Sequence, residues 1–242
     1  MKRLSIELSN MARLRSIFGD DDLSPTRFAM LCEVAGAHGI ALTLGNENIE
    51  ISERDVRLIR ELHKSYINFH IPLQTEQIKI ALSLKPDMVT FVNTKKDSSH
   101  HCSPLSSEDL YQSLPDILPD FQANHISVAA FVSPEIDILR QISKVQIDYV
   151  EFDCSLLTSA GNTNEQLIEI DKLTTAAMGA AKLGLGINCY GSISYEHLPH
   201  IARIPQLEDI TMGFSILKRS MVAGIHQAVG EALQQILAYQ RL

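Results

Sequence analysis

Residues that could do chemistry recur two apart where short apolar runs of this chain end. They are Glu7 and Ser9, Thr43 and Gly45, Asn68 and His70, Glu151 and Asp153, Asn188 and Tyr190, with Asn93 alone after a further run. Side chains on a strand repeat every second residue, so each pair points to one side. His70 suits a general base, because an unperturbed imidazole titrates near neutrality. Glu151 sits between Val150 and Phe152, and an acid there is costly to bury without a partner. His70 and Glu151 are therefore the expected acid/base pair, with Glu7 and Asp153 fixing a ligand. A core-edge histidine bonded to a neighbouring strand, and interior ion pairs for the acids, are the alternatives. Glu7, His70, Glu151 and Asp153 could also surround a divalent cation, but no ligand spacing demands one and no metal is expected. Cys154 and Cys189 stand where a nucleophile could be placed, although a small buried hydrophobe is the commoner role of a free Cys. The run His100-His101-Cys102 lies in a polar loop, and Pro199 between His197 and His200 leaves no zincin-type pattern.

A second kind of chemistry is suggested by the stretch from Ile210 to Gly224. It reads as a buried strand, Gly213 at its end, and a helix opening at Ser215. Backbone N–H groups at such a junction commonly hold a phosphate in an eight-fold β/α barrel. Gly213 would let the anion approach the amides without a Cβ in the way; an ordinary strand-end turn is the plain alternative.

These residues need a frame. Strand-like runs fall at Leu4–Leu8, Ile40–Leu44, Tyr66–Ile71, Met88–Val92, Ile126–Val132, Tyr149–Phe152, Gly186–Cys189 and Asp209–Met212. Helical stretches fall between them: Thr26–Ala35 after the Ser24-Pro25 cap, a Ser52-capped helix to His63, and Thr75–Leu84. Later come an interrupted stretch over Glu108–Gln122, then Pro134–Ser143, Asn164–Leu183, Tyr195–Ala202 and a closing helix Ser215–Tyr239. The segment Asn93–Ser107, with Lys95 and Lys96, is expected to be a long polar loop of the kind that serves as a lid. Eight alternating units predict an α/β fold, a (β/α)8 TIM barrel with extra helices, as one domain over residues 1–242. An open doubly wound sheet is the runner-up, and no Gly-x-Gly-x-x-Gly follows the first strand to support it.

Bulk composition narrows the partners. The 242 residues are 45% hydrophobic and 21% charged, with a formal charge of −8. No basic stripe with interleaved aromatics appears, which argues against nucleic acid. No run approaches a membrane span, and four widely spaced cysteines read as reduced thiols, so a cytoplasmic protein is expected. No organic cofactor is expected either.

Several motifs together resemble the pyridoxine 5′-phosphate synthase family. They are Ala35-Gly36-Ala37-His38-Gly39-Ile40, Ile51-Ser52-Glu53-Arg54-Asp55-Val56-Arg57, Met11-Ala12-Arg13-Leu14-Arg15, Asn188, and Met212-Gly213 through Lys218-Arg219. The likeness covers nearly the full length. It implies a barrel with extra helices, a homo-oligomer, and a metal-free condensation. In that reaction 1-deoxy-D-xylulose 5-phosphate joins 3-amino-2-oxopropyl phosphate, and the pyridine ring of vitamin B6 closes.

The positions that the resemblance assigns to catalysis are largely substituted. Where the family has an Asn followed by an Asp-His pair, this chain has Glu7 and Ser9-Asn10. Its phosphate-binding arginine is Phe18 here, with Arg15 retained nearby. The family's His-Leu-Arg is Thr43-Leu44-Gly45, a following histidine is Glu50, the third-strand glutamate is His70, and a lid threonine is His100. Gly-His-Gly becomes Tyr190-Gly191-Ser192, and the Gly-His of the last strand becomes Gly213-Phe214. Glu151, Gly213, Asn188 and Asn68 remain. The expected ligand-binding set is Glu7, Ser9, Asn10, Thr43, Asp153, Asn188, Gly191, Ser192, Gly213 and Phe214.

Two readings of function follow. One is a diverged transferase- or lyase-type enzyme of this family that binds a small phosphorylated or anionic metabolite and does not run the family condensation. The other is a non-catalytic homologue acting as scaffold or regulatory partner, with Phe18 and Phe214 closing the phosphate pockets. An authentic synthase with an unusual site stands beside them.

Overall fold

A computed structural model describes residues 1–19, 22–44, 51–94 and 102–240. Eight strands, β1 (Arg3–Glu7), β2 (Gly39–Thr43), β3 (Tyr66–Ile71), β4 (Met88–Phe91), β5 (Ser127–Val132), β6 (Tyr149–Asp153), β7 (Gly186–Tyr190) and β8 (Leu207–Met212), carry the fold. All pair in parallel and close in the order β1-β8-β7-β6-β5-β4-β3-β2, which is the expected (β/α)8 TIM barrel.

Strand alternation sorts the buried residues into two populations. Leu4, Ile6, Ile40, Leu42, Ile67, Phe69, Val89, Val150 and Ile187 belong to the apolar core between strands and helices. The alternate positions Ser5, Glu7, Thr43, Asn68, His70, Thr90, Glu151, Asn188, Asp209 and Thr211 are also buried, and they share the lumen. Register places them in layers, with Thr43 beside His70, His70 beside Thr90, and Glu151 beside Asn188. Apolar burial outside drives closure. The lumen must instead satisfy its polar groups by mutual hydrogen bonds.

At the N-terminal end of the lumen Asp209 accepts hydrogen bonds from Arg3 Nε at 3.2 Å and Ser5 Oγ at 2.9 Å. Close packing there explains Gly39, where a Cβ would lie 2.5 Å from Ser5 Oγ. Burial pushes the Asp209 carboxyl up to about 6, against the pull of Arg3 and the Ser5 hydroxyl. A carboxyl raised on folding stabilises the fold below its unfolded pKa, and that contribution is lost as pH rises through the folded value. The stability difference between Asp209→Asn and the wild type is therefore expected to move in the variant's favour by about 2 kcal/mol from pH 4.5 to pH 7. Urea unfolding at both pH values measures this; an unchanged difference would mean an ordinary carboxyl.

Helices form where caps and apolar faces coincide. Helix α1 (Ser9–Phe18), not expected from the sequence, follows β1 directly; α2 (Pro25–Val34) starts with Ser24 accepting from Arg27 N and a proline in its first turn. Helix α3 (Glu53–Leu62) opens with a reciprocal Ser52/Asp55 capping box. Asp55 also takes a two-pronged contact from Arg15, at 2.8 and 3.1 Å, that ties α1 to α3. Helix α4 (Thr75–Leu84) follows β3 as expected. A π-helical turn over Asp109–Ser113 leads into α5 (Leu114–Ala123), which accommodates Pro119 inside it. Next come α6 (Ile136–Ile142), the short α7 (Ser155–Thr158) and the 20-residue α8 (Thr163–Lys182).

Two expected helices are corrected. The Tyr195–Ala202 helix shrinks to α9 (Leu198–Ile201). The single closing helix is two, α10 (Phe214–Ala223) and α11 (Ile225–Tyr239), because Gly224 adopts φ +83 between them. No helix among the described residues is long and apolar enough to cross a membrane.

The expected lid is anchored at both described ends. Asn93–Thr94 pairs antiparallel with Cys102–Ser103, and Leu105 N–H donates to the Phe131 carbonyl at 2.8 Å. Asp20, Asp21, Gly45, Glu50, Lys95, Lys96, His100 and His101 lie outside the described residues.

Candidate functional site at the barrel mouth

His70 on β3 and Glu151 on β6 meet across the lumen, with Nε2 and Oε2 3.0 Å apart and both side chains wholly buried. The contact is a charge pairing more than a well-aligned hydrogen bond, since neither Glu151 oxygen has an aligned donor. Asn68 Nδ2 lies 3.3 Å from His70 Nε2 and donates to Thr90 Oγ1 at 2.9 Å, while the Thr90 hydroxyl returns a bond to Asn68 Oδ1. Burial alone would strip the imidazole of its proton. The Glu151 carboxylate and the neighbouring Cys102 thiol outweigh it and raise His70 to about 10. The pair is thus an imidazolium held against a carboxylate.

Glu7 ends β1 on the same face. Its Oε1 accepts from Ser9 N–H at 2.8 Å and its Oε2 from Asn10 Nδ2 at 3.3 Å, so Ser9 and Asn10 serve Glu7 at the start of α1. Burial raises the Glu7 carboxyl, with the Ser9 and Asn10 bonds and nearby His70 opposing. Gly213 presses against the same group: a Cβ there would come within 2.9 Å of Glu7 Oε2. The glycine is therefore packed closely on Glu7, a contact that strand-end reasoning did not contain. Gly213 also caps α10 with no side-chain acceptor, which leaves the first amides of that helix to other partners.

Asp153, at the end of β6, turns to its own chain. Its Oδ1 accepts from Ser155 N–H at 2.9 Å and Ser155 Oγ at 2.5 Å. Gly191 sits over that turn with φ +120, where a Cβ would fall 2.7 Å from Asp153 Oδ1. Ser192 follows with φ +53, a left-handed conformation uncommon for serine. Asn188 lies beside Glu151, donates to Met88 Sδ at 3.6 Å and keeps a buried Oδ1 without a partner. Thr43 Oγ1 stands 3.9 Å from Cys102 Sγ.

His70, Glu151, Glu7, Thr43, Asn68 and Asn188 thus share the lumen, whereas Asp153, Gly191 and Ser192 form its rim beyond β6 and β7. Phe214 and Phe18 do not close pockets: the two residues are 55% and 67% exposed, and Lys218 Nζ lies 4.9 Å from the Phe214 centroid. Among the described residues no three His, Cys, Asp or Glu side chains converge on one point as a metal ion would need.

Two further residues, named in the sequence but given no role there, stand at the pair. Tyr190 covers the pair, its ring 4.9 Å from His70 and 5.6 Å from Phe131. Burial, with Glu7, Cys102, Glu151 and Asp153 around it, holds its phenol well above the ordinary value. Cys102 packs beside it with Val92 and Phe131. The Asn188/Tyr190 alternation already puts Tyr190 on the lumen side of its strand. Cys102 lay in the His100-His101-Cys102 run, but nothing local says that the chain folds back over the mouth there.

The chain matches the family described as "Pyridoxal phosphate biosynthesis protein PdxJ" over residues 4–238. It is 30% identical to the pyridoxine 5′-phosphate synthase of Geobacter metallireducens, covering 98% of this chain and 99% of that one. It is 29% identical to that of Syntrophobacter fumaroxidans, covering 96% and 98%. Solved structures with the same fold include KGPDC from Streptococcus mutans, at TM-score 0.64 and 11% identity over 99% of both chains. Another is 3-hexulose-6-phosphate synthase from Salmonella typhimurium, at TM-score 0.63 and 12% identity over 98% and 99%. With a full-length match to the family and these relatives, the chain belongs to the PdxJ family of vitamin B6 biosynthesis proteins.

Proposed function

We propose that the barrel mouth binds a small phosphorylated or otherwise anionic metabolite, with His70 and Glu151 as its acid/base pair. The chain does not run the condensation that its family resemblance implies. The observation that carries this reading is the wholly buried His70–Glu151 contact at 3.0 Å, which sets an imidazole, where the family resemblance puts a glutamate, against the retained Glu151. The side-chain-free start of α10 at Gly213 and the rim at Gly191–Ser192 supply amide donors for an anion. The printed names of the relatives, and of the 3-hexulose-6-phosphate synthase neighbour, point to phosphorylated compounds. The family likeness also supports self-association and a cytoplasmic setting.

Calorimetric titration with inorganic phosphate and with 1-deoxy-D-xylulose 5-phosphate tests the binding. Saturable heat is expected, weakened at least about tenfold by Gly213→Ala, whose Cβ crowds Glu7 and the α10 start. Absence of heat at millimolar ligand would remove the reading. The non-catalytic alternative is favoured by one observation, that His70 and Glu151 expose no surface at all; binding without any turnover would select it.

A further inference from the structure

The strand pair that anchors the expected lid brings a thiol to the buried ion pair. We infer that Cys102, His70 and Glu151 act as a nucleophile triad in which the Cys102 sulfur attacks an electrophilic carbonyl carbon of the bound metabolite. The inference rests on the mouth being a ligand site, as proposed above. Cys102 Sγ is 3.9 Å from Thr43 Oγ1, and Thr43 is the register neighbour of His70. His70 Nε2 is committed to Glu151, whereas its buried Nδ1 has no aligned partner. The Val92–Cys102–Phe131 cluster and the His70 ring both pack against Tyr190, which brings the thiol to the same side of the mouth as the ring. The three groups form a chain, sulfur to imidazole to carboxylate, which is the arrangement that activates a cysteine.

The other surroundings of His70 leave that chain intact. Glu7 faces it from β1, Asn68 and Thr90 bond to each other beside it, and Tyr190 stacks over it from β7. Two of the other cysteines differ. Burial pushes the Cys32 thiol up to about 12, and a hydrogen bond with Cys189, followed by burial, holds Cys154 well above the usual range.

The step balances without an oxidant or reductant. The thiol proton leaves to solvent, and the imidazolium offsets the charge on sulfur. The sulfur pair forms a C–S bond as the carbonyl π pair moves to oxygen. The oxygen takes the proton of His70, leaving a hemithioacetal or hemithioketal and a neutral imidazole. Glu151 is a positioning residue here, acting through His70.

Alkylation of the native protein by iodoacetamide, read cysteine by cysteine by peptide mass spectrometry, tests this. Cys102 is expected to react about 10²-fold faster than Cys32 or Cys154. Its rate should change less than about twofold between pH 6 and pH 8, where an unassisted thiol gains about tenfold per unit. Glu151→Gln should restore the steep profile, and Cys102→Ser should remove the fast site. Because the wild-type profile needs no variant, poor folding of either substitution leaves the test standing. A steep wild-type profile, or a Cys102 no faster than Cys154, overturns the triad. Iodoacetate, which carries a carboxylate, separates the two readings. A flat profile without saturation by iodoacetate keeps the triad and removes anion binding; saturation by iodoacetate with a steep profile does the reverse.

Discussion

Supplied with 1-deoxy-D-xylulose 5-phosphate and 3-amino-2-oxopropyl phosphate, the purified protein is expected to form no pyridoxine 5′-phosphate above a level about 10⁴-fold below that of a relative such as the Geobacter metallireducens synthase. The family resemblance places proton-transfer groups at the positions of Thr43, His70 and Gly191. A hydroxyl, an imidazolium and a glycine stand there now. Removing one general acid or base typically costs about 10²–10⁴ in rate, and three changes together exceed what one neighbour restores. His70 cannot take over as a base at neutral pH while Glu151 keeps it protonated. Product at a rate within about tenfold of the relative would overturn this, as would rescue of a vitamin B6 auxotroph.

The second large effect is on stability. Truncating Glu151 to Ala is expected to cost about 3–5 kcal/mol, because it strands a buried imidazole whose charge had one close carboxylate partner. The double variant His70→Asn/Glu151→Ala should recover part of the loss, since no buried charge is then left unpaired. The pH dependence has a definite sign. His70 is raised from 6.5 to about 10 in the fold, so its contribution is complete below about pH 6.5 and drains away as pH rises towards 10. Urea unfolding of the wild type between pH 7 and pH 9.5 should therefore show a stability decline that His70→Asn abolishes. An equal decline in both proteins would mean that the imidazole is neutral in the fold.

Much of this frame was legible in the amino-acid order. Apolar runs with polar residues two apart gave both the strands and the side of each strand that faces the lumen, which is why His70 and Glu151 were paired before their distance was known. Caps with local chemistry, such as Ser24-Pro25 and Ser52 with Asp55, were equally readable. Helix α1 was not, because no side chain caps its start and its first residues are spent on Glu7. The break at Gly224 was missed because an isolated glycine is tolerated within a helical pattern. Cys102 depended on a chain reversal whose intervening residues carry no strand signal. Gly213 was noticed for a ligand, whereas its nearest neighbour is the Glu7 carboxylate, a tertiary contact between the first and last strands.

The His70–Glu151 contact has a mechanical side as well. Its partners stand three strands apart around the ring, one in the first four β/α units and one in the last four. It therefore acts as a strut across the barrel, complementing the hydrogen-bonded seams that join β4 to β5 and β1 to β8. Opening either half would break that strut, which adds to the coupling between them.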